Sequence, residues 1–202
     1  MYIPHYYKNE DLAEVKDFIK AHSFGILVNQ VDNRPWATHI PLELERKDGK
    51  DFLVSHIAKA NPQCRSFSDS SEVLCIFNGP HAYVSSSWYQ EEEVLTWDYI
   101  AVHVYGKLEM LSEEATMAAL HRLVNRYESD SKQPLNLNDL SPKTLRQVKG
   151  VVGFQIEITD IQAMYKLSQT RPEDHKEIIK ELQQRGVTET EIARQIKKHS
   201  NK

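Results

Sequence analysis

The chain has 202 residues, 40% of them apolar and 27% charged, which suits one soluble domain with a small appendage and excludes a disordered polymer. A net charge of −4 gives no global basic field for nucleic acid, while leaving room for a local one. Seven glycines, never three within six positions, exclude the G-x-G-x-x-G dinucleotide fingerprint, and no G-x-x-x-x-G-K-[ST] loop exists.

Cys64 and Cys75 are eleven positions apart, neither a C-x-x-C pair nor a disulfide framework, which fits a reducing compartment. The first residues show no basic n-region and no apolar h-region, and no apolar run approaches the ~20 residues that cross a bilayer. The expectation is a cytoplasmic protein with no membrane partner.

In chain order, Leu12, Val15, Phe18 and Ile19 have helical spacing, predicting a short amphipathic helix over 10–20. The period then changes to two. Residues 24–28 read as a mostly buried strand, and Asp32-Asn33-Arg34-Pro35 as a turn. Trp36, Thr38, Ile40, Leu42 and Leu44 alternate with Ala37, His39, Pro41 and Glu43 as one half-buried strand, in which Pro41 marks an edge or a bulge. Asp48-Gly49 is a second hairpin turn, leading into a strand over 51–56. Further strands are predicted at 73–77, 81–86 and 99–110, and a final one where Val152, Phe154, Ile156 and Ile158 alternate.

Between the last two, Ser112 caps a helix with the apolar stripe Met117, Leu120, Leu123, Val124 and Tyr127, and Ser141-Pro142 starts a short one. Residues 172–199 read as two helices separated at Gly186. Six or seven short antiparallel strands flanked by helices point to an α+β protein built on a small β-barrel.

The stretch Ser55-His56-Ile57-Ala58-Lys59-Ala60-Asn61-Pro62 leaves a strand and opens a helix, with Asn61 as N-cap and Pro62 at the first helical position. Unpaired N–H groups there, with His56, Lys59 and Arg65 nearby, offer a phosphate charge-assisted hydrogen bonds without glycine. A capped surface helix with basic neighbours explains the same residues. A second cluster, 79–89 with 96–99, contains Trp88, Trp97 and three tyrosines and suits a flat heteroaromatic ligand, or equally a core or dimer interface. The polar, basic stretch 165–171 is the third candidate.

Strand histidines His39, His56, His81 and His103 lack metal-ligand spacing, so no metal site is assigned; haem ligation by one of them stays open. No G-x-S-x-G elbow supports a Ser-His-Asp hydrolase. Residues 171–202 hold eight Lys/Arg against six Asp/Glu. The run 182–193 looks like the first turn of a helix-turn-helix, yet a capping box of Thr188 and Glu191, with Gly186 ending the preceding helix, accounts for it, and no convincing basic recognition helix follows.

Laid out in order, the segments Met1-Tyr2-Ile3-Pro4, Thr38-His39-Ile40-Pro41-Leu42, His56-Ile57-Ala58-Lys59-Ala60-Asn61-Pro62-Gln63, Phe77-Asn78-Gly79-Pro80-His81-Ala82-Tyr83-Val84-Ser85, Ser87-Trp88-Tyr89, Thr96-Trp97-Asp98-Tyr99 and Lys166-Leu167-Ser168-Gln169 resemble the PaiB-like family of FMN-binding negative transcriptional regulators. The resemblance implies an FMN-binding split β-barrel over 1–171, related to the pyridoxamine phosphate oxidase-like flavoproteins, with a helical tail over 172–202. It implies a homodimer with flavin at the subunit interface.

By the same analogy Thr38, His39 and Ile40 would contact the flavin ring, and His56, Lys59 and Asn61 would hold the phosphate. Trp88 would belong to the pocket, and Lys166, Ser168, Gln169 and Arg171 would approach from the partner subunit. The sequence departs from the family at Ser86, Asp98 and Thr170, where proline, asparagine and asparagine are usual. Asp98 would add negative charge near an anionic cofactor.

The expected function is therefore a repressor of protease synthesis and sporulation, a regulator rather than an enzyme, with DNA as a candidate partner. The alternatives are a flavin-dependent oxidoreductase whose pocket is shaped by Trp88, Trp97 and His81, or a haem- or flavin-binding protein that regulates through protein partners.

Overall fold

The computed structural model describes residues 1–68 and 71–200. Its first helix, α1 (Leu12–Ala21), starts where Asp11 Oδ1 accepts the N–H groups of Ala13 and Glu14, each at 3.1 Å, and it buries Val15, Phe18 and Ile19. Seven strands follow the sequence pattern: β1 (Phe24–Val31), β2 (Arg34–Pro41), β3 (Glu43–Lys47), β4 (Lys50–Ala58), β5 (Ser71–Val84), β6 (Thr96–Met110) and β7 (Val151–Lys166). They form one sheet in the order β2-β1-β5-β6-β7-β4-β3. The antiparallel α+β class expected from the alternation is what folds.

Two tight hairpins set the register. Asp32 and Asn33, with φ of 52° and 61°, join β1 to β2, and Asp48 and Gly49, with φ of 50° and 81°, join β3 to β4. Positive φ at both central positions matches the right-handed twist of the flanking strands.

The strand expected to run from Trp36 to Leu44 divides at Leu42. Pro41 ends β2, an edge strand where a missing N–H costs little, and Leu42 N donates to Ser23 O at 2.7 Å. Leu42 and Glu43 are then both buried, so Leu44 turns partly outward and β3 pairs with β4. Conversely, the strands expected at 73–77 and 81–86 are one, running through Gly79-Pro80. A Cβ on Gly79 would sit 2.6 Å from the Phe18 ring, so only glycine lets strand and helix meet this closely.

Ser112 caps α2 (Glu113–Glu128), its Oγ accepting the N–H of Ala115 at 3.1 Å. Of the anticipated stripe, Met117, Leu120, Leu123 and Val124 are only half-buried and Tyr127 is exposed; Thr116 is the helix's one buried residue, packed where a Cβ on Gly153 would collide with it. The helix is bordered by two hollows, described below, which keep its apolar face from closing. A short helix α3 (Pro142–Leu145) begins at Ser141-Pro142 as expected.

The tail forms α4 (His175–Gln183) and α5 (Val187–His199). Gly186, not Thr188, is the N-cap of α5, and Thr190 Oγ1 donates to Gly186 O at 2.9 Å, so the expected capping box does not form.

Two compact units divide the chain. The inner unit comprises Ile19–Ile76 and Val104–Ile161; the terminal unit comprises Met1–Phe18, Phe77–His103 and Gln162–Lys202. No described helix is long and apolar enough to cross a membrane.

Candidate functional site

In the inner unit, β4 delivers the chain to a turn whose start is specified by two adjacent residues. Asn61 Oδ1 accepts the N–H of Gln63 at 2.9 Å, and Pro62 opens a 3-10 helix, Pro62–Ser66. Five residues in this tighter winding carry a small dipole, so attraction for an anion rests on side chains rather than on the turn itself.

The other half of the Asn61 amide reaches β2: Nδ2 donates to Thr38 Oγ1 at 3.0 Å. Thr38 thus keeps its own hydroxyl proton free to donate. Gln63 anchors the turn from beneath. It is fully buried, its Nε2 donating to Leu27 O at 3.2 Å and Asn29 Oδ1 at 2.9 Å, while its Oε1 has no partner among the described residues.

Lys59 is exposed, with no ion pair among the described residues. It lies on the rim of a hollow of about 680 Å³ walled by Met110, Met117, Leu145, Val148 and Val152, with Arg146 and Lys149 also bordering it. His56 lines a different and smaller hollow, about 160 Å³, together with Glu43, Ser55 and Arg126. Burial makes its imidazole harder to protonate. Glu43 there is engaged by Arg126 and accepts the Tyr127 hydroxyl at 2.8 Å. On β2, Ile40 enters the core while His39 faces outward, stacked beside Phe24 with ring centres 6.4 Å apart. Thr38 and Asn61 are therefore joined, and His56 and Lys59 border separate hollows.

In the terminal unit, Lys166, Ser168 and Arg171 share a hollow of about 130 Å³ with Asp98, Tyr7 and Tyr89. Lys166 donates to Thr96 Oγ1, and its ammonium sits 5.8 Å from the centre of the Tyr7 ring. Arg171 pairs with Glu93 and lies 4.6 Å from the Tyr89 ring centre. Two cations are thus offset by two carboxylates.

Asp98 is completely enclosed. Ser168 N donates to its Oδ1 at 3.2 Å and Ser168 Oγ to its Oδ2 at 2.7 Å. Burial pushes the carboxyl up to about 6, against the opposing pull of Ser168 and Lys166. The negative charge flagged in the sequence is occupied in holding the loop. Gln169 folds back on its own loop, accepting Leu167 N at 2.7 Å and donating to Tyr165 O. Trp88 is buried, with the Arg185 guanidinium 4.5 Å from its ring centre. Trp97, by contrast, is 51% exposed beside His81 and Tyr83.

Sequence reasoning named Asn61 and passed over Gln63, although Gln63 closes the same motif. It also missed Tyr7 and His175. Nothing in the local sequence marks His175; its part emerges only when the tail folds back.

These donors suit a flavin mononucleotide. The Thr38 hydroxyl and the outward N–H and C=O groups of edge strand β2 match the polar rim of a flat heterocycle, and the unpaired Lys59 ammonium matches a phosphate. When bound, such a group would supply reversible redox chemistry, and the part of the residues here would be to bind and orient it.

Comparison with known proteins agrees. Residues 1–160 match the family model described as "Putative FMN-binding domain". The chain is 45% identical over 185 residues to the Bacillus subtilis (strain 168) "Protease synthase and sporulation protein PAI 2", covering 91% of this chain and 89% of that one. Two solved structures share the fold at 14% identity. A FAD and haem binding protein from Mycobacterium smegmatis has a TM-score of 0.60 over 79% of this chain and 73% of its own. The flavocytochrome Anf3 from Azotobacter vinelandii has a TM-score of 0.61 over 80% and 70%. The seven-stranded sheet is accordingly a flavoprotein-type split barrel, and the chain belongs to the FMN-binding domain family, with FMN as the cofactor that this membership assigns.

Proposed function

We propose that this protein is a homodimeric, cytoplasmic FMN-binding regulator that represses gene expression, with a split-barrel domain over 1–171 and a helical tail over 172–202. In this reading Thr38, His39 and Ile40 border the flavin ring, and His56, Lys59 and Asn61 serve its phosphate. Trp88 stiffens the pocket wall, and the segment with Lys166, Ser168, Gln169 and Arg171 comes from the second copy. The observation that carries the flavin half is the Asn61–Thr38 junction, with the exposed Lys59 two positions before Asn61 in the chain. The regulatory half is supported by 45% identity to a relative named for protease synthesis and sporulation.

Absorbance and fluorescence titration with FMN, with FAD and haem in parallel, tests the first half. FMN is expected to bind most tightly, and an unaltered flavin spectrum would overturn the reading. Sedimentation at micromolar concentration is expected to show a dimer. For repression, promoter duplexes titrated at several salt concentrations are expected to bind with affinity that falls as salt rises, because each phosphate contact releases counterions. Absence of any salt-dependent complex would move the regulatory role to protein partners.

A further inference from the structure

We propose that the paired helices α4 and α5 are an internal clasp for the loop at 166–171, and that His175 and Asp98 are the positioning residues that hold Ser168 between them. The inference rests on the reading that this loop forms part of the flavin site, and it concerns what fixes the loop's shape.

Ser168 has φ of 55°, a left-handed conformation that a residue with a side chain keeps only when its surroundings over-determine it. They do. Its N–H and its hydroxyl both go to Asp98, and its carbonyl accepts from His175 Nε2 at 2.8 Å and from Arg171 N at 3.0 Å. Since a carbonyl only accepts, Nε2 of His175 carries a proton. The other ring nitrogen then accepts, and it lies 2.7 Å from Ser200 Oγ, whose one proton is shared between this nitrogen and Ile196 O, also 2.7 Å away, near the end of α5. A chain of polar contacts therefore runs from Asp98 through Ser168 and His175 to Ser200 at the end of the tail. His175 is 9% exposed and Ser168 4%, so water cannot easily substitute for either.

The rest of the tail is built for the same docking. Ile178, Leu182, Ile192, Ala193 and Ile196 are all fully buried. Of the basic side chains that a DNA-reading α5 would present, Lys197 stays exposed while the others have partners within the chain. Arg194 grips Glu191 with two bonds, and Lys198 and His199 both reach Glu14 of α1. A recognition helix needs its basic side chains free for phosphates and base edges. Here Lys198 and His199 tie the helix to α1.

The test compares wild type, His175→Ala, His175→Gln and Asp98→Asn in the full chain by amide hydrogen exchange, with FMN titration as a separate readout. His175→Ala is expected to speed exchange at residues 166–171 about fivefold to tenfold while leaving β1–β4 unchanged. His175→Gln, whose amide can still donate to Ser168 O, is expected to recover most of the protection. Asp98→Asn, which keeps one acceptor for Ser168 N, is expected to stay close to wild type.

If His175→Ala does not fold, Ser200→Ala serves instead, with a smaller increase confined to 166–171. Unchanged exchange in that loop, or a uniform increase across the chain without rescue by glutamine, would overturn the clasp. Failure of wild type to bind FMN would instead overturn the flavin reading, since the exchange measurement needs no flavin.

Discussion

Asn61 and Thr38 are joined side chain to side chain at 3.0 Å, tying the turn after β4 to edge strand β2. One amide thereby performs two tasks. Its oxygen caps the 3-10 turn, and its nitrogen fixes the rotamer of a hydroxyl whose own proton is left to donate.

Replacement of Asn61 separates these tasks. Asn61→Ala is expected to cost roughly 0.5–2 kcal/mol of stability in urea unfolding, the usual value of a lost cap. Asn61→Asp retains the cap acceptor, turns the donor to Thr38 into an acceptor for the Thr38 hydroxyl and adds a negative charge. It should be nearly as stable as wild type and still bind FMN more weakly. Equal FMN affinity in all three proteins would remove the junction from the site.

Lys59→Ala is expected to lower FMN affinity by roughly 1.5–3 kcal/mol, about 10- to 150-fold, as for a charge-assisted phosphate contact. Its side chain is exposed, so thermal stability should be unchanged. Fluorescence titration reads the first effect and calorimetry the second.

The buried carboxyl of Asp98 has a definite pH signature. Its folded value of about 6 lies above the ordinary 3.8, so the native protein holds the proton more tightly than the unfolded chain does. Stability should fall as pH rises from about 4 to about 6 and be level with respect to this group beyond that. Asp98→Asn removes this slope, so its stability should be level with respect to this position across the same range. Unfolding midpoints measured from pH 4 to 7.5 for both proteins check the sign.

Gly106 is a packing prediction. A Cβ there would lie 2.5 Å from Glu157 O and 2.5 Å from Ile156 Cγ2, and the first of these is backbone that has little room to give. Gly106→Ala should therefore destabilise by about 1–3 kcal/mol. A neutral result in chemical denaturation would mean that β6 and β7 separate locally at little cost.

Period-two alternation, the Asp32-Asn33 and Asp48-Gly49 turns and the Ser112 cap were all legible, because each depends on neighbours within a few positions. The break at Leu42 was not, since apolar spacing reads straight through Leu42 to Leu44 while the change of pairing partner is a property of the sheet. The helix expected after Asn61 was legible in its start and not in its length. The resemblance named Lys166, Ser168 and Arg171 together, and the structure sets all three around one hollow. That Asp98 restrains Ser168, seventy positions away, and that Gln63 lies under the turn, depend on contacts no local pattern encodes.

The ladder between β4 and β7 sets Phe52 against Glu157 and Ala58 against Val151, partners about a hundred residues apart. On a ribosome, β4 would thus emerge long before the strand that completes it, with only the β3 hairpin partner at its side. Closing such a long loop is entropically demanding and slow. Newly made chains would pass through a stage in which Leu53, Val54 and Ile57 await cover, and chaperone dependence during synthesis should exceed what the finished molecule's stability suggests.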